Sequence, residues 1–511
     1  MISPPCFASS PATNVRGWRG TSVIAKSHCL AIDVGTGSLK SALVDLSSGR
    51  VVKHESAKLD TVRRDAASVE QRPSDWWHTT CETVGKVLTD LDDAIVLSSV
   101  AVTGQMQDLI IIDEADNVLY DTAILYSDKR AVSEAQALTE KLGMRVTADT
   151  LLSKLLWVER NWNVSSIGRE RSRVLIGAAD WISFKLCGAH VSDPTTATTT
   201  SLADSSGRSY SVEVLKDAGL EPWIRSLPEL HDEIKVCGYV NQSIAEEASL
   251  ALLSDLPVIH AGGDAATTTV GAGAGIPGWT HMYVGTSGWI GGSIDSNSIA
   301  ASGTTVFQLG HPVKDFQIRL GSMTTAGGCL TWIKNLLGCS WLELNQMASS
   351  CPPGSSGVLF YPHLAGERCP FVDPLATASF LGLRGGVDAA ALVRSVMEGV
   401  AFNMLDCMRE MEASGFPVGE EVVMVGGGSR SSVWCEIFAS VLERQILVQE
   451  DSAFSGLKGA AAIAAVAIGE QQDLYPTSWR QNGSIYKPVH HELYQMIHRS
   501  WREKHPQNGV A

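Results

Sequence analysis

Asp33 closes an apolar run, Cys29-Leu30-Ala31-Ile32, and a loop of small residues follows at once: Val34-Gly35-Thr36-Gly37-Ser38, then Leu39-Lys40. The pattern predicts strand, tight turn, strand. With no Cβ in the way, backbone N–H groups of such a turn can approach a phosphate. A carboxylate at its mouth is a hard oxygen ligand for a phosphate-bound Mg²⁺. The alternative is a hairpin whose Asp caps a turn. The pattern returns where His281-Met282-Tyr283-Val284 runs into Gly285-Thr286-Ser287-Gly288 and then Trp289-Ile290. Two such turns, one in each half, predict a duplicated phosphate-binding domain with a nucleotide held between the copies.

A second carboxylate, Asp264, follows Val258-Ile259-His260-Ala261-Gly262-Gly263. A buried strand ends there and a helix starts. Asp in that position reads as an N-cap or as a general base that takes a hydroxyl proton and aims the oxygen at a phosphate. A third glycine turn, Gly426-Gly427-Gly428-Ser429, joins the strand Val422-Val423-Met424-Val425 to a helix. It reads as a platform for a flat base or ribose, or as a plain tight turn. Gly321 to Gly328 precedes a helix from Cys329 whose N-terminus suits an anion. Gln105, Met106 and Gln107 stand between two apolar strands and line a turn or a pocket. Asp128 and Arg130, two apart at a strand end, can hold sugar hydroxyls or form a surface ion pair.

The elements that must position these residues alternate between strand and helix in both halves, which predicts an α/β fold with mixed or parallel sheets. Strands are expected at Ala94–Leu97 and Ser99–Val102. Glu70-Gln71-Arg72-Pro73-Ser74-Asp75-Trp76-Trp77 opens a helix with Pro73 in its first turn. Ser192-Asp193-Pro194 and the Thr-rich run to Thr200 read as a loop. Val387 to Met404 reads as a long amphipathic helix.

The chain has 511 residues, which suits two or three domains. Its net charge of −15 argues against nucleic acid as a partner, because that affinity rests on Lys and Arg neutralising phosphates. No apolar run reaches membrane-spanning length. The eleven cysteines are scattered with no Cys-x-x-Cys pair, so reduced thiols in a reducing, cytoplasmic setting are expected. Residues 1–28 carry Arg16, Arg19 and Lys26 without any acidic residue, which reads as an organellar import segment or a disordered extension.

In this order the pieces resemble the FGGY carbohydrate kinases. They are the Asp33 to Lys40 loop, Glu70-Gln71 with Trp76-Trp77, Thr103-Gly104-Gln105-Met106, Asp128 with Arg130, and Lys154-Leu155-x-Trp157. They continue with Gly262-Gly263-Asp264, Gly285-Thr286-Ser287-Gly288, Gly366-Glu367-Arg368-x-Pro370, Phe380-Leu381-Gly382-Leu383 with Glu398-Gly399, and Gly426-Gly427-Gly428-Ser429. The resemblance implies two ribonuclease-H-like domains of the actin and hexokinase type flanking a central cleft. The expected organisation is an extension over 1–28, a sugar-binding and catalytic domain over 29–275, a nucleotide-binding domain over 276–475, and a C-terminal segment over 476–511 that packs or is partly flexible.

The same resemblance implies ATP-dependent phosphorylation of a ketose or polyol hydroxyl, with D-xylulose the leading expectation and Mg²⁺ as cofactor. Asp264 looks like the base and Asp33 like the carboxylate that organises the metal. Gly35, Thr36, Gly37, Ser38 and Lys40, with Gly285, Thr286, Ser287 and Gly328, look like the phosphate site. Gly427, Gly428 and Ser429 look like the adenosine site. Gln105, Met106, Gln107, Asp128, Arg130 and Asp264 fall near the sugar pocket. Xylulose-specific members usually carry His where Gln107 stands and Asn where Ala265 stands. Ribulose, another ketose, a polyol or gluconate remain open as the acceptor, as do a sugar or nucleotide sensor without turnover and assembly as a homodimer.

Overall fold

The computed structural model describes residues 26–65, 67–162, 171–479 and 483–505. Residues 1–25 of the expected extension lie outside the described residues. Lys26–His28 do not belong to an extension: they begin strand β1 (Lys26–Val34), with the His28 ring buried.

β1 pairs antiparallel with β2 (Ser38–Asp45), which pairs antiparallel with β3 (Val51–Lys58). On its other side β1 runs parallel to β4 (Ile95–Gly104), a single strand where two were expected. Edge strand β5 (Gly238–Tyr239) lies against β6 (Pro257–Gly263), which is parallel to β4. The last six residues of β4 are all buried, as a parallel strand covered on both faces requires.

A second sheet repeats the plan. β7 (Thr280–Val284) is antiparallel to β8 (Gly288–Asp295). After β9 (Phe307–Gly310) at the edge, β10 (Phe316–Met323) is antiparallel to β8. β7 is parallel to β11 (Glu421–Val425), which is parallel to β12 (Gln445–Gln449), and β13 (Gly483–Tyr486) closes the far edge. The orders are β5-β6-β4-β1-β2-β3 and β9-β10-β8-β7-β11-β12-β13. A hairpin, a third antiparallel strand and two parallel strands thus occur in the same arrangement twice, and the two short glycine turns occupy the same place in each copy.

Helix α1 (Pro73–Leu88) starts at its proline, not at Glu70. Glu70–Gln71 is instead a short strand paired with Ala123–Ile124. Arg72 is extended, the conformation a following proline ring enforces, so no helix can run through it. α2 (Ala178–Cys187) follows a strand at Arg173–Gly177. The expected Thr-rich loop is in fact helix α3 (Pro194–Thr198). Asp193 caps it by accepting the N–H groups of Thr195 and Thr196, and Pro194 supplies the fixed first φ. α4 (Asp264–Thr269) leaves the end of β6. Gly321–Met323 finish β10, and α5 (Gly327–Leu337) starts at Gly327, two residues before Cys329. α6 (Ala389–Ala413) extends nine residues beyond Met404. α7 (Ser432–Leu442), α8 (Ser455–Ala467) and α9 (His491–Glu503) complete the described helices used here.

α8 belongs to the second half in sequence but buries its small side chains, Ala460 to Ala465, against Cys29, Ala31, Ala42, Val44 and Ala101 of the first sheet. The crossing onto α4 and the turn that continues it (Val270–Ala274) is backbone on backbone. A Cβ at Gly459 would run into the Thr267 carbonyl, and one at Gly271 into the Ser455 carbonyl. The C-terminal segment packs: Tyr494 and Trp501 of α9 join the core of the second half. No described helix is long and apolar enough to cross a membrane.

Candidate active site

Strand β6 loses its register between His260 and Gly262, and Gly262 takes φ +101°, a backbone conformation that favours glycine. That bend delivers Asp264 as the first residue of α4. Gly263, not Asp264, occupies the cap position. A Cβ at Gly263 would strike the Met106 sulfur, so this glycine lets Met106 sit beside Asp264. Met106 and Trp289 pack on an apolar cluster of Ala265, Ala266, Leu309, Ile318 and Leu320, drawn from both halves of the chain, which forms the floor under Asp264.

Asp33, at the end of β1, is the foremost charge acting on Asp264. Burial and this neighbouring carboxylate push the Asp264 carboxyl up to about 7. Burial raises Asp33 as well, opposed by Lys40, its cross-strand partner. Gly456, in the first turn of α8, lies close against Asp33: a Cβ there would lie 3.3 Å from Asp33 Oδ2, a tight contact. The first turn is closed by Gly35 N–H donating to Ser38 O at 3.1 Å, the second by Gly285 N–H donating to Ser287 O at 2.9 Å. In the duplicated hairpins the place of Asp33 is taken by Tyr283, which stacks on Trp289 with ring centroids 4.0 Å apart. Burial and the charges of Asp264 and Asp33 hold the Tyr283 phenol protonated. Gly426 lies against Val284 O and the Tyr283 ring, and Gly428 against the Val284 side chain. The second and third glycine turns therefore converge on Tyr283–Val284, next to both carboxylates.

Several expected roles look different in place. Gln105 is buried and both ends of its amide are used. Its Oε1 accepts from Thr36 Oγ1 at 2.7 Å, and its Nε2 donates to Gln71 Oε1 at 3.0 Å. Gln71 in turn donates to Thr36 O at 2.7 Å. These two glutamines brace the first turn. Gln107, at φ +65°, donates to Thr199 O at 3.0 Å, while its own carbonyl accepts from the buried Lys154 ammonium at 2.8 Å. Asp128 and Arg130 are an internal ion pair, not a surface one. Asp128 accepts from Val69 N–H at 2.6 Å and from the Arg130 guanidinium at 2.7 Å, and Arg130 also binds Glu70 at 2.6 Å. Asp128 and Glu70 are buried, and the three tie neighbouring segments together, because a buried charge must be paired. The N-terminus of α5 is not free for an anion: Gly327 N–H and Gly328 N–H already donate to Gly285 O and Thr286 O. Gly427 has open space where a Cβ would be, whereas the Ser429 hydroxyl turns inward to Gly426 O and Ser452.

Three residues at the cleft were not singled out from sequence. Tyr283 and Tyr126 sit at strand ends next to small-residue turns, a place where an amphipathic ring is a signal. Tyr126 lies within 3.4 Å of Thr36 Oγ1. Asp108 is buried, accepts Tyr126 N–H at 3.1 Å with one oxygen, and leaves Oδ2 unpartnered. Burial pushes its carboxyl well up, with Asp264 and Asp180 adding to the effect. An acid directly before the apolar run Leu109-Ile110-Ile111-Ile112 was its only mark.

Residues 28–271 match the model of the FGGY family of carbohydrate kinases, N-terminal domain, and 284–468 match that of the C-terminal domain. The xylulose kinase of Bacillus subtilis (strain 168) is 27% identical over 497 residues, covering 92% of this chain and 96% of that protein. The gluconokinase of the same organism is 26% identical over 466 residues, covering 87% and 88%. The crystal structure of xylulose kinase from Rhodospirillum rubrum superposes with a TM-score of 0.77 at 25% identity, covering 93% of this chain and 98% of that one.

Proposed function

The chain belongs to the FGGY family of carbohydrate kinases, a sugar kinase that uses ATP, and from that premise we propose that its acceptor is D-xylulose, converted to D-xylulose 5-phosphate. The observation that carries the chemical reading is the pairing of Asp264 with Asp33. One carboxylate, uncapped at a helix start, has an affinity for protons matched to neutral pH, and the other sits at the mouth of a glycine turn. Asp264 accepts the proton of the attacking hydroxyl and orients its oxygen. The backbone N–H groups of Thr36 and Gly37 in the first turn, and of Thr286 and Ser287 in the second, cradle the phosphates, and Gly427 and Gly428 carry the adenosine. Burial raises the Asp33 carboxyl, and Lys40, its cross-strand partner, offsets part of that effect. Asp33 is a hard oxygen donor suited to Mg²⁺, which binds through one or two carboxylates plus phosphate oxygens; when bound, the ion neutralises phosphate charge.

One observation favours a second acceptor. Ala265 is packed into the apolar floor and the Gln107 amide nitrogen donates to Thr199 O, so of two positions that touch substrate in the xylulose-specific members one is apolar and the other has its side-chain donor engaged. A related sugar, a polyol or gluconate is the alternative. ADP release measured across D-xylulose, other pentuloses, hexuloses, pentitols and gluconate decides between them: the highest kcat/KM is expected for D-xylulose, and a higher value for any other compound reassigns the acceptor. Asp264→Asn is expected to lose about 10²–10⁴ in kcat while ATP still binds. Normal turnover in that variant removes Asp264 from the role of base.

A further inference from the structure

Away from the cleft, two thiols from different elements meet at the edge of the first sheet. Cys187 ends α2 and Cys237 directly precedes β5. Their sulfurs are 4.0 Å apart. Gly238 makes this approach possible, since a Cβ there would lie 2.8 Å from the Cys187 sulfur and 2.9 Å from its Cβ. Each thiol lies 3.2 Å from a backbone carbonyl, Cys187 from Ser183 O and Cys237 from Val258 O. Both are partly exposed. The hydrogen bond from its neighbour holds the Cys187 thiol below the usual range, and the thiolate is the form that reacts. Cys369 and Cys407 also adjoin, but both are fully buried, where a solute has no access.

We propose that Cys187 and Cys237 form a reversible disulfide, with a low-molecular-weight disulfide as the oxidant. The Cys187 thiolate attacks one sulfur of the small disulfide, forming a mixed disulfide and releasing one small thiolate. Cys237 gives its proton to solvent, and its sulfur attacks the Cys187 sulfur, releasing the second small thiolate. Two protein thiols are oxidised by two electrons and one small disulfide is reduced to two thiols. From 4.0 Å the sulfurs must approach by about 2 Å to reach a bonded distance.

The bond closes the segment 188–236 at both ends. That segment carries Thr196 and Thr199, which adjoin Gly263 and Gln107, and Arg208, which donates to His311 O of the second half at 2.8 Å. Oxidation therefore anchors one wall of the cleft covalently and restricts the unfolded chain.

The test equilibrates the full chain in mixtures of reduced and oxidised glutathione, alkylates free thiols and maps peptides by mass spectrometry. Cys187 and Cys237 are expected to lose alkylation together, appear as one linked peptide pair, and regain both thiols with dithiothreitol. The oxidised chain is expected to unfold at a higher temperature than Cys187→Ser in the same buffer. Two results overturn the proposal: both thiols still alkylated at the most oxidising ratio, or Cys187 held as a stable glutathione adduct while Cys237 stays free. The mapping is done on the unaltered chain, so it holds even if a serine variant folds poorly.

Discussion

Burying one carboxylate beside another costs free energy whenever both are charged, and Asp264 beside Asp33 bears that cost at neutral pH. The folded state binds the Asp264 proton more tightly than the unfolded chain does. Its contribution to stability is therefore complete below the ordinary carboxylate range and is lost as pH rises through about 7. Activity should run the opposite way, since only the charged form accepts a proton. With saturating ATP, kcat/KM for the sugar is expected to rise about tenfold per pH unit on the acid side of 7 and then level off. Asp264→Asn should raise the unfolding temperature at pH 8, with the gain shrinking toward pH 4. A flat profile across pH 6 to 8 would mean that the base titrates elsewhere. Asp128 and Arg130 carry the opposite lesson. Their spacing was legible, but their role depended on Glu70 and Val69 N–H, which come from a segment 59 to 60 residues earlier.

At the scale of elements, the crossing of α8 over α4 is what fixes Asp264 from behind. The two backbones touch at Gly271 and Gly459, and α8 also brings Gly456 to Asp33. Gly459→Val should destabilise the protein by about 1–3 kcal/mol or more, because an interior this tight cannot absorb added methyl groups. It should also lower kcat, since α4 must shift. Gly85→Ala is the control: Gly85 lies inside α1 with open space around its Cα, and the change should stabilise by about 0.5–1 kcal/mol. Urea unfolding of the two variants reads both signs. Equal effects would show that helix propensity, not the crossing, governs. The sequence carried the glycines and the alanine run of α8, but not the strand they face: helix periodicity shows that one face is apolar and says nothing about its partner 430 residues away.

At the scale of the molecule, two copies of one sheet plan meet at Asp33, Tyr283 and Asp264, and the floor beneath them is shared. Contacts at the sugar side also cross: Thr195 Oγ1 donates to Gly310 O at 2.7 Å, and Gly310 N–H donates to Thr198 Oγ1 at 3.1 Å. Ligands that touch both halves should draw them together and exclude water from the transferring phosphoryl group. Small-angle scattering is expected to give a smaller radius of gyration with a non-hydrolysable ATP analogue and sugar together than with either alone. An unchanged radius would argue that the cleft is already closed.

Short-range patterns determined a great deal. Apolar runs ending in small-residue turns placed the hairpins after Asp33 and Tyr283, a strand meeting Gly-Gly-Asp placed α4, and repetition of the turn pointed to duplicated halves. Such signals survive in sequence because a strand, a turn and a helix start are made by neighbouring residues. What the polar side chains do was decided only by the tertiary structure. Gln105 is spent on Thr36 and Gln71, Asp128 on Arg130 and Val69, and Asp193 on capping a helix where a loop was expected. A hydrogen bond or a charge acts over a few ångströms, and which groups lie within that reach is set by the packing of distant segments, not by the residues on either side.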